Sequence, residues 1–274
     1  MERYRAAVVQ LASGEDREAN LDRAEALIRR AAGEGARLVV LPEVSTWRGP
    51  KAAEPDAVEP VPGPSIRRFA NLAATLRIHI CPGSLLEESP TRERPYNTTC
   101  LIGPDGTLLA SYRKIHLFDV DLPDRVVVRE SDQRTPGDGI QACETPLGTI
   151  GLSICYDLRF PELYRRLVET GAELLLVPSA FTAHTGAAHW EVLLRARAIE
   201  SQCYVLAPNQ TGRSPHGFDD WGHSMIVDPW GTVLATIPDG EGFAVAEIDP
   251  GHLARVRSEL PSLRHDRLRS RERA

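Results

Sequence analysis

The chain has 274 residues, of which 42% are hydrophobic and 26% are charged, and its formal net charge is -6. This composition is typical of a globular protein that is large enough to bury a core without disulfides. The negative charge argues against nucleic acid or an anionic membrane as a partner. No apolar run approaches the ~20 residues that a membrane-spanning helix requires.

The five cysteines form no C-x-x-C pair, and no histidine lies in an H-E-x-x-H or Cys/His ligand spacing. We therefore expect no metal and no other cofactor. The first residues, MERYRAAVVQLASG, form a strand pattern rather than a secretory signal. These features predict a cytoplasmic protein with free thiols.

In chain order, strand-length apolar runs alternate with amphipathic helical stretches in the first half. The strand RAAVVQL precedes the helix NLDRAEALIRRAAGEG, which we expect Asn20 to cap and Gly33 or Gly35 to end. The strand ARLVVLPE and the helix SIRRFANLAATLRI, begun by Pro64, follow. Three further strand patterns are HICPGSLLEE, YNTTCLIGPDG and GTLLASYRKI, and the last two meet at a turn at residues 104–106.

The second half repeats this order after a loop pattern, DRVVVRESDQRTPGDG. IQACETPLG and TIGLSICYD predict a hairpin about Gly148, followed by a helix from Pro161. The strand ELLLVPSAF, the helix AAHWEVLLRARAIESQ and the strand CYVLAPNQTG come next. GHSMIVDPWGTVLATIP and GFAVAEID supply three last strands, of which the first two meet at residues 229–231.

The repeated order β-α-β-α-β followed by paired strands predicts two pseudo-symmetric sheets. No Ser/Gly-rich linker separates the halves, so we expect one domain. Half-buried strands with helices between them predict an α/β fold in which two sheets pack face to face and the helices lie outside.

Three strand patterns end in a reactive side chain: VVLPE at Glu43, ASYRK at Lys114 and LSIC at Cys155. A sheet fixes such groups while the next loop leaves them accessible. Singly, the cysteine could be packing material, the lysine a solvated or paired charge, and the glutamate a turn cap. Together in one pocket they would supply a nucleophile, a proton carrier and an electrostatic clamp for an oxyanion.

The blocks LVVLPE, YRKIHLFD and GLSICYDLRFPEL resemble, in order, the catalytic blocks of the nitrilase superfamily of carbon–nitrogen hydrolases. The resemblance runs from residue 6 to about 248. It implies a four-layer α-β-β-α sandwich, a single domain over 1–274 with an extension over about 251–274, and a homodimer or higher homo-oligomer. The arginine-rich end of the extension is interpreted as a solvated arm.

The resemblance also implies a catalytic triad of Glu43, Lys114 and Cys155, with Glu130 orienting Lys114 or the substrate. On this reading the glutamate takes the thiol proton, and the thiolate attacks an amide carbon. Lys114 and the backbone N–H of Tyr156 stabilise the oxyanion. The other four cysteines lie in strand patterns and are expected to be inert.

Segments beyond the triad resemble one branch of the family. SAFTAHTGAAHWEVLLRARAIESQCYVLAPNQTG and WGHSMIVDPWGTVLA are similar to amidases that act on deaminated glutathione. The sister branch, the omega-amidases, hydrolyses 2-oxoglutaramate and 2-oxosuccinamate. We expect deaminated glutathione to be the substrate, although Pro208 and Asn209 depart from that branch in a loop expected to edge the pocket.

Such 2-oxo acid amides carry a carboxylate that requires a cationic or N–H-rich anchor. Arg159 is the candidate anchor, and Phe181 and Thr182 are candidates for the pocket lining. The alternative for Arg159 is a structural ion pair with Glu162 or another acid.

Other functions stay open at this point. The protein could be a different amidase or a nitrilase of the same family, or an inactive scaffold of the same fold. His116 or His223 could pair with Cys155 as in papain, but the local papain pattern is absent. A thiol-redox protein is a further alternative, weakened by the lack of a resolving cysteine near Cys155.

Overall fold

In this computed structural model the structure describes residues 2–91, 93–122, 126–215 and 217–267, without the side chains of residues 122 and 126. The helices of this part are α1 (Arg17–Gly33), α2 (Pro64–Leu76), α3 (Pro161–Glu169), α4 (Ala183–Ser201) and α5 (Pro250–Glu259). Short 3₁₀ turns cover Lys51–Ala57, Glu130–Asp132, Cys155–Arg159 and Ser262–Arg264. Among the described helices, none combines the length and the apolar character needed to cross a bilayer.

The strands of the described residues fall into two halves. The first half contains β1 (Tyr4–Gln10), β2 (Ala36–Val40), β3 (His79–Cys81), β4 (Ser84–Glu87), β5 (Tyr96–Ile102), β6 (Leu108–Arg113), β7 (Asp119–Leu122) and β8 (Val126–Arg129). The second half contains β9 (Gln141–Thr145), β10 (Gly148–Leu152), β11 (Leu174–Leu176), β12 (Tyr204–Ala207), β13 (Thr211–Arg213), β14 (Asp219–Trp221), β15 (Ser224–Val227), β16 (Val233–Ile237) and β17 (Gly242–Ile248).

Two larger sheets share one design. The first has the order β17-β1-β2-β3-β5-β4, with β6 also paired to β5, and the second has the order β16-β15-β12-β11-β10-β9. Each has three parallel strands at its centre, β1, β2 and β3 in one sheet and β10, β11 and β12 in the other. A helix connects each successive pair of these strands, which is the crossover that parallel pairing requires. The last strand, β17, leaves its own half and pairs antiparallel with β1.

Side-chain alternation along the first sheet creates two apolar layers. In β1, Ala6 and Val8 belong to a core shared with the second sheet, whereas Ala7 and Val9 belong to a core shared with α1 and α2. Successive strand residues point to opposite faces, so a strand apolar on both faces must be covered on both. The second sheet is covered by α3 and α4, and Leu167 of α3 and Leu194 of α4 belong to the same apolar cluster as its strands. The predicted α-β-β-α sandwich is therefore confirmed.

The ends of several elements differ from the prediction. Helix α1 is capped by Asp16, whose Oδ1 accepts a hydrogen bond from the Ala19 N–H at 3.0 Å. Asn20 is instead buried inside the first turn and bonds the backbone of Gly14 and Thr46. The predicted cap was wrong because a preceding aspartate offers the same acceptor one turn earlier.

Two strand assignments were also wrong in detail. HICPGSLLEE forms two strands rather than one, because the chain bends at Gly83 (φ +77), where a Cβ would lie 1.8 Å from the Pro42 carbonyl oxygen. The segment predicted as a loop, residues 124–139, contains strand β8, which pairs antiparallel with β7 in a hairpin called the rim hairpin below. Helix α5 opens the predicted extension and packs Leu253 and Val256 inward, while residues 268–274 lie outside the described part.

Candidate active site

Glu43 lies just beyond the end of β2 and is almost fully buried. Its Oε1 accepts hydrogen bonds from the Lys114 Nζ at 2.9 Å and the Asn97 Nδ2 at 2.8 Å, and its Oε2 accepts one from the Ala180 N–H at 2.9 Å. Its own carbonyl accepts a hydrogen bond from the Gln210 Nε2 at 2.8 Å. Both carboxylate oxygens are therefore fixed in direction by donors from three different segments of the chain.

Lys114 follows β6 and is buried between two carboxylates. Its Nζ lies 2.9 Å from an oxygen of Glu43 and 2.9 Å from an oxygen of Glu130. The same Glu130 oxygen accepts the N–H of Phe118 at 2.5 Å, which holds the second carboxylate in place. An ammonium in this position is charge-compensated on two sides and keeps a single orientation.

Cys155 lies three residues beyond β10, the same spacing that separates Glu43 from β2, and it is the first residue of a 3₁₀ turn. Its φ of +46° is in the left-handed region, which costs free energy for a residue with a side chain. The turn is held by the Cys155 N–H, which donates to the Pro178 carbonyl at 2.9 Å. The thiol also interacts with the Glu43 carboxylate and the Ala180 N–H.

A buried carboxylate two residues after the thiol ties this turn to the lysine segment. Asp157 accepts hydrogen bonds from the Ile154 N–H and the Tyr112 hydroxyl, both at 2.8 Å. Its other oxygen lies 2.7 Å from the His116 Nδ1 and accepts the His116 N–H at 3.1 Å. Asp157 therefore joins the residues on both sides of Lys114 to the turn of Cys155.

Electrostatics in the site keep the proton on sulfur and the charge on the acid. Burial, followed by the nearby Glu43 carboxylate, raises the pKa of Cys155 well above its usual range, although Lys114 and the Ala180 N–H act against this. Burial alone would also raise the pKa of Glu43, but Lys114 and the hydrogen bonds to the carboxylate lower it overall. Lys114 shows the reverse balance: burial opposes its charge, yet the two glutamates raise its pKa.

A cavity of about 420 Å³ opens onto these groups. All the residues that the sequence suggested for the site lie in its wall: Glu43, Lys114, Glu130, Cys155, Tyr156, Arg159, Phe181 and Thr182. The loop over residues 205–220, which was expected to edge the pocket, reaches the cavity wall through Gly217 and Phe218. Pro208 and Asn209 do not line the cavity, and Asn209 Oδ1 accepts the Phe181 N–H at 2.9 Å. That departure from the related branch therefore supports the pocket wall without touching its contents.

Arg159 presents its guanidinium to the cavity without a close acid. It lies 4.9 Å above the ring centroid of Phe181, and its Nη1 is 3.1 Å from the His189 Nδ1. Within the described residues no salt bridge involves it, so the alternative ion pair with Glu162 is not formed. Thr182 is buried in the same cavity wall, and its hydroxyl shares a hydrogen bond with the Thr185 hydroxyl.

The sequence analysis missed Asn97, Asp157 and Gln210, which position the predicted triad. The turn at residues 104–106 gives an antiparallel register in which Asn97 lies within one residue of Lys114, so the hairpin pattern carried a usable signal. No comparable local pattern indicates Asp157 or Gln210, because the contacts that join them to the lysine segment and to Glu43 span more than 40 residues.

The proposed histidine partners of Cys155 are engaged elsewhere. His116 bonds Asp157, and His223 lies 2.6 Å through Nδ1 from the Trp221 carbonyl oxygen. Over the part of the chain that the structure describes, no hydrogen bond joins either imidazole to the thiol. The same residues contain no group of three His, Cys, Asp or Glu side chains that could hold a metal ion.

Comparison with known proteins places this geometry in a family. The family profile described as "Carbon-nitrogen hydrolase" matches residues 5–258. The chain is similar to human "Omega-amidase NIT2" (40% identity, 97% of this chain and 96% of that protein) and to "Deaminated glutathione amidase" of Synechocystis sp. (42% identity, 97% and 98%).

A solved structure extends the comparison to three dimensions. Nit3 of Saccharomyces cerevisiae, described as a member of branch 10 of the nitrilase superfamily, matches with a TM-score of 0.86 and 33% identity over 100% of this chain and 97% of that one. The chain belongs to the carbon–nitrogen hydrolase family, the nitrilase superfamily, and it is an amidase that acts on carbon–nitrogen bonds other than peptide bonds.

Proposed function

We propose that this amidase cleaves small 2-oxo acid amides through a thioester on Cys155 and that deaminated glutathione is its preferred substrate. The observation that carries this proposal is the convergence of the Cys155 thiol, the Glu43 carboxylate and the Lys114 ammonium on one cavity. The acidic and basic groups there already have the protonation states that the first step requires.

The first step transfers the thiol proton to Glu43 as sulfur attacks the amide carbon. Because the pKa of Cys155 is raised and that of Glu43 is lowered, the resting site holds a neutral thiol beside an ionised base. The thiolate then forms during the attack rather than before it, with Glu43 as general base. Formation of the S–C bond opens the C=O π bond, and its electron pair becomes an oxyanion.

Lys114 and the Tyr156 N–H are suited to stabilise that oxyanion. An ammonium has three N–H donors. The Lys114 Nζ contacts one Glu43 oxygen at 2.9 Å and the two Glu130 oxygens at 2.9 and 3.2 Å, and an N–H released from the longest contact can turn to the oxyanion. The Tyr156 N–H forms no hydrogen bond with other described residues. Each such donor is typically worth ~3 kcal/mol in the transition state.

Collapse of the tetrahedral intermediate breaks the C–N bond, and protonated Glu43 gives its proton to the leaving amine. Glu43 then removes a proton from water as the water attacks the thioester, and the proton returns to sulfur when the acid leaves. With deaminated glutathione the leaving amine is Cys-Gly; with an omega-amidase substrate it is ammonia.

Arg159 supports the choice of a 2-oxo acid as the acyl group. Its burial against Phe181 strengthens any charge-assisted hydrogen bond it makes, and within the described part it has no acid of its own. A substrate carboxylate would meet a fixed guanidinium, with Thr182 in the same cavity wall.

Sequence identity does not distinguish the two amidase branches, because the omega-amidase and the deaminated glutathione amidase are almost equally similar to this chain, at 40% and 42%. The cavity volume falls in the range that holds drug-sized ligands, which favours the larger substrate. The single domain, the homo-oligomer, the cytoplasmic location and the absence of a nucleic-acid partner stay predictions.

The test is a comparison of kcat/KM on deaminated glutathione, 2-oxoglutaramate and the nitrile corresponding to 2-oxoglutaramate, using the wild-type enzyme and Arg159→Gln. We expect deaminated glutathione to be preferred and Arg159→Gln to raise KM for both amides about tenfold or more. A large preference for 2-oxoglutaramate would overturn the choice of branch, and an unchanged KM in Arg159→Gln would overturn the carboxylate anchor.

A further inference from the structure

Five cationic side chains line the cavity, and the structure neutralises three of them. Arg48 forms a buried ion pair with Asp220, and Arg134 forms a bidentate pair with Glu54 at 2.7 and 2.8 Å. Lys114 lies between its two glutamates. Within the described residues, only Arg129 and Arg159 among these five lack a short bond to an acid.

Arg129 is the last residue of the rim hairpin and immediately precedes Glu130, which contacts Lys114. Its nearest salt-bridge partner is Asp121, at 3.8 Å, and both side chains are more than half exposed. Asp119 lies opposite Arg129 in the hairpin register, but its oxygens accept the Ser131 N–H at 3.0 Å and hydroxyl at 2.6 Å.

A loose ion pair of this kind contributes little and leaves the guanidinium donors available. The planar guanidinium matches a carboxylate through two parallel hydrogen bonds. Arg129 therefore has the chemistry of an anion site in the cavity wall, on a different element from Arg159. The apolar Val127 lies beside it in the same wall.

We propose that Arg129 binds a carboxylate on the leaving amine and so selects substrates that carry an anion on each side of the scissile amide. This inference rests on the proposed function, in which Arg159 binds the carboxylate of the acyl group. In deaminated glutathione, Arg159 would bind the 2-oxo acid carboxylate and Arg129 would bind the carboxylate of the terminal glycine. A monoanionic primary amide such as 2-oxoglutaramate occupies only the Arg159 side.

The test compares two substrates that differ by one charge: deaminated glutathione and its C-terminal amide, in which the glycine carboxylate is a carboxamide. The wild-type enzyme should prefer the acid about tenfold or more in kcat/KM, since a charge-assisted hydrogen bond is lost with the amide. Arg129→Gln should abolish this preference through a higher KM for the acid, and Arg129→Lys should restore part of it.

Arg3→Gln is the matched control, because Arg3 is an equally exposed arginine with ion pairs to Glu247 and Asp249 and does not line the cavity. It should keep the wild-type preference for the acid. Equal wild-type kcat/KM on the acid and the amide, or an unchanged preference in Arg129→Gln, would overturn the Arg129 site alone. Hydrolysis of neither compound by the wild-type enzyme would overturn the proposed function and the Arg129 site with it.

Discussion

Replacement of Glu43 by glutamine separates the two ways in which this carboxylate can act on the thiol. As a general base it accepts the thiol proton, a role typically worth 10²–10⁴ in rate, or about 3–5 kcal/mol. As a negative charge it raises the pKa of Cys155, so its removal lowers that pKa while the Lys114 ammonium stays beside the sulfur. The two effects predict opposite changes in two assays.

We expect Glu43→Gln to lower kcat for amide hydrolysis by about 10²–10⁴. The midpoint of the pH profile for alkylation of Cys155 by iodoacetamide should at the same time move to lower pH. The donors around the carboxylate are the Lys114 Nζ and Asn97 Nδ2 at Oε1 and the Ala180 N–H at Oε2. The new amide nitrogen must face donors at one of these positions, which costs about 1–3 kcal/mol of unfolding free energy per unmatched group.

The assays are steady-state hydrolysis, alkylation followed by mass spectrometry, and urea unfolding. Glu59→Gln is the matched control: Glu59 is equally buried, accepts the Ser65 N–H at 2.8 Å and lies outside the cavity wall. It should lose stability and keep its kcat. A folded Glu43→Gln enzyme with kcat within tenfold of wild type would refute the role of Glu43 as general base.

Three other predictions concern the backbone bend and the thiols. Gly83→Ala should lose more than ~1 kcal/mol of unfolding free energy and much of its activity, because the new Cβ would collide with the carbonyl oxygen of Pro42, the residue before Glu43. Gly139→Ala is the control and should be near neutral, since no atom lies within 4 Å of its new Cβ. Similar losses in both variants would contradict this account. Burial raises the pKa of Cys81 to about 11, so the thiol ionises at lower pH in the unfolded chain and the free energy of unfolding falls as pH rises from about 9 to 11. Cys81→Ala should make this fall less steep by about 1.4 kcal/mol per pH unit. An unchanged slope would show that burial does not perturb this thiol. Iodoacetamide should modify Cys155 ahead of the half-buried Cys143 and the three fully buried cysteines. The reagent reaches Cys155 through the cavity, and Glu43 removes the thiol proton as sulfur attacks, which offsets the raised pKa. Equal rates for all five cysteines would favour an inactive scaffold.

The layered architecture was predictable because it depends on local patterns. Strands apolar on both faces, such as RAAVVQL, require cover on both sides, and the helices between them supply it. The cap of α1 and the rim hairpin were assigned wrongly. Asp16 and Asn20 are both good caps, and the short strands of the hairpin carry too few residues to show a periodicity.

The site itself was only partly predictable. All three triad residues follow strands, Lys114 by one residue and Glu43 and Cys155 by three. The sequence did not show that Cys155 lies in a strained, left-handed turn, which Asp157 joins to Tyr112 of another strand. The role of Arg129 depends on which other arginines are neutralised, and those ion pairs join residues up to 172 positions apart. Such pairings arise from the tertiary fold and leave no spacing in the sequence.

The central claim is tested most directly by Cys155→Ala, purified and shown by circular dichroism and urea unfolding to keep the native fold. We measure amine release from deaminated glutathione and from 2-oxoglutaramate. If the Cys155 sulfur forms the acyl-enzyme, kcat should fall at least about 10³-fold on both substrates, because the variant has lost the atom that attacks the amide carbon. Turnover of the folded variant within tenfold of wild type would contradict the claim.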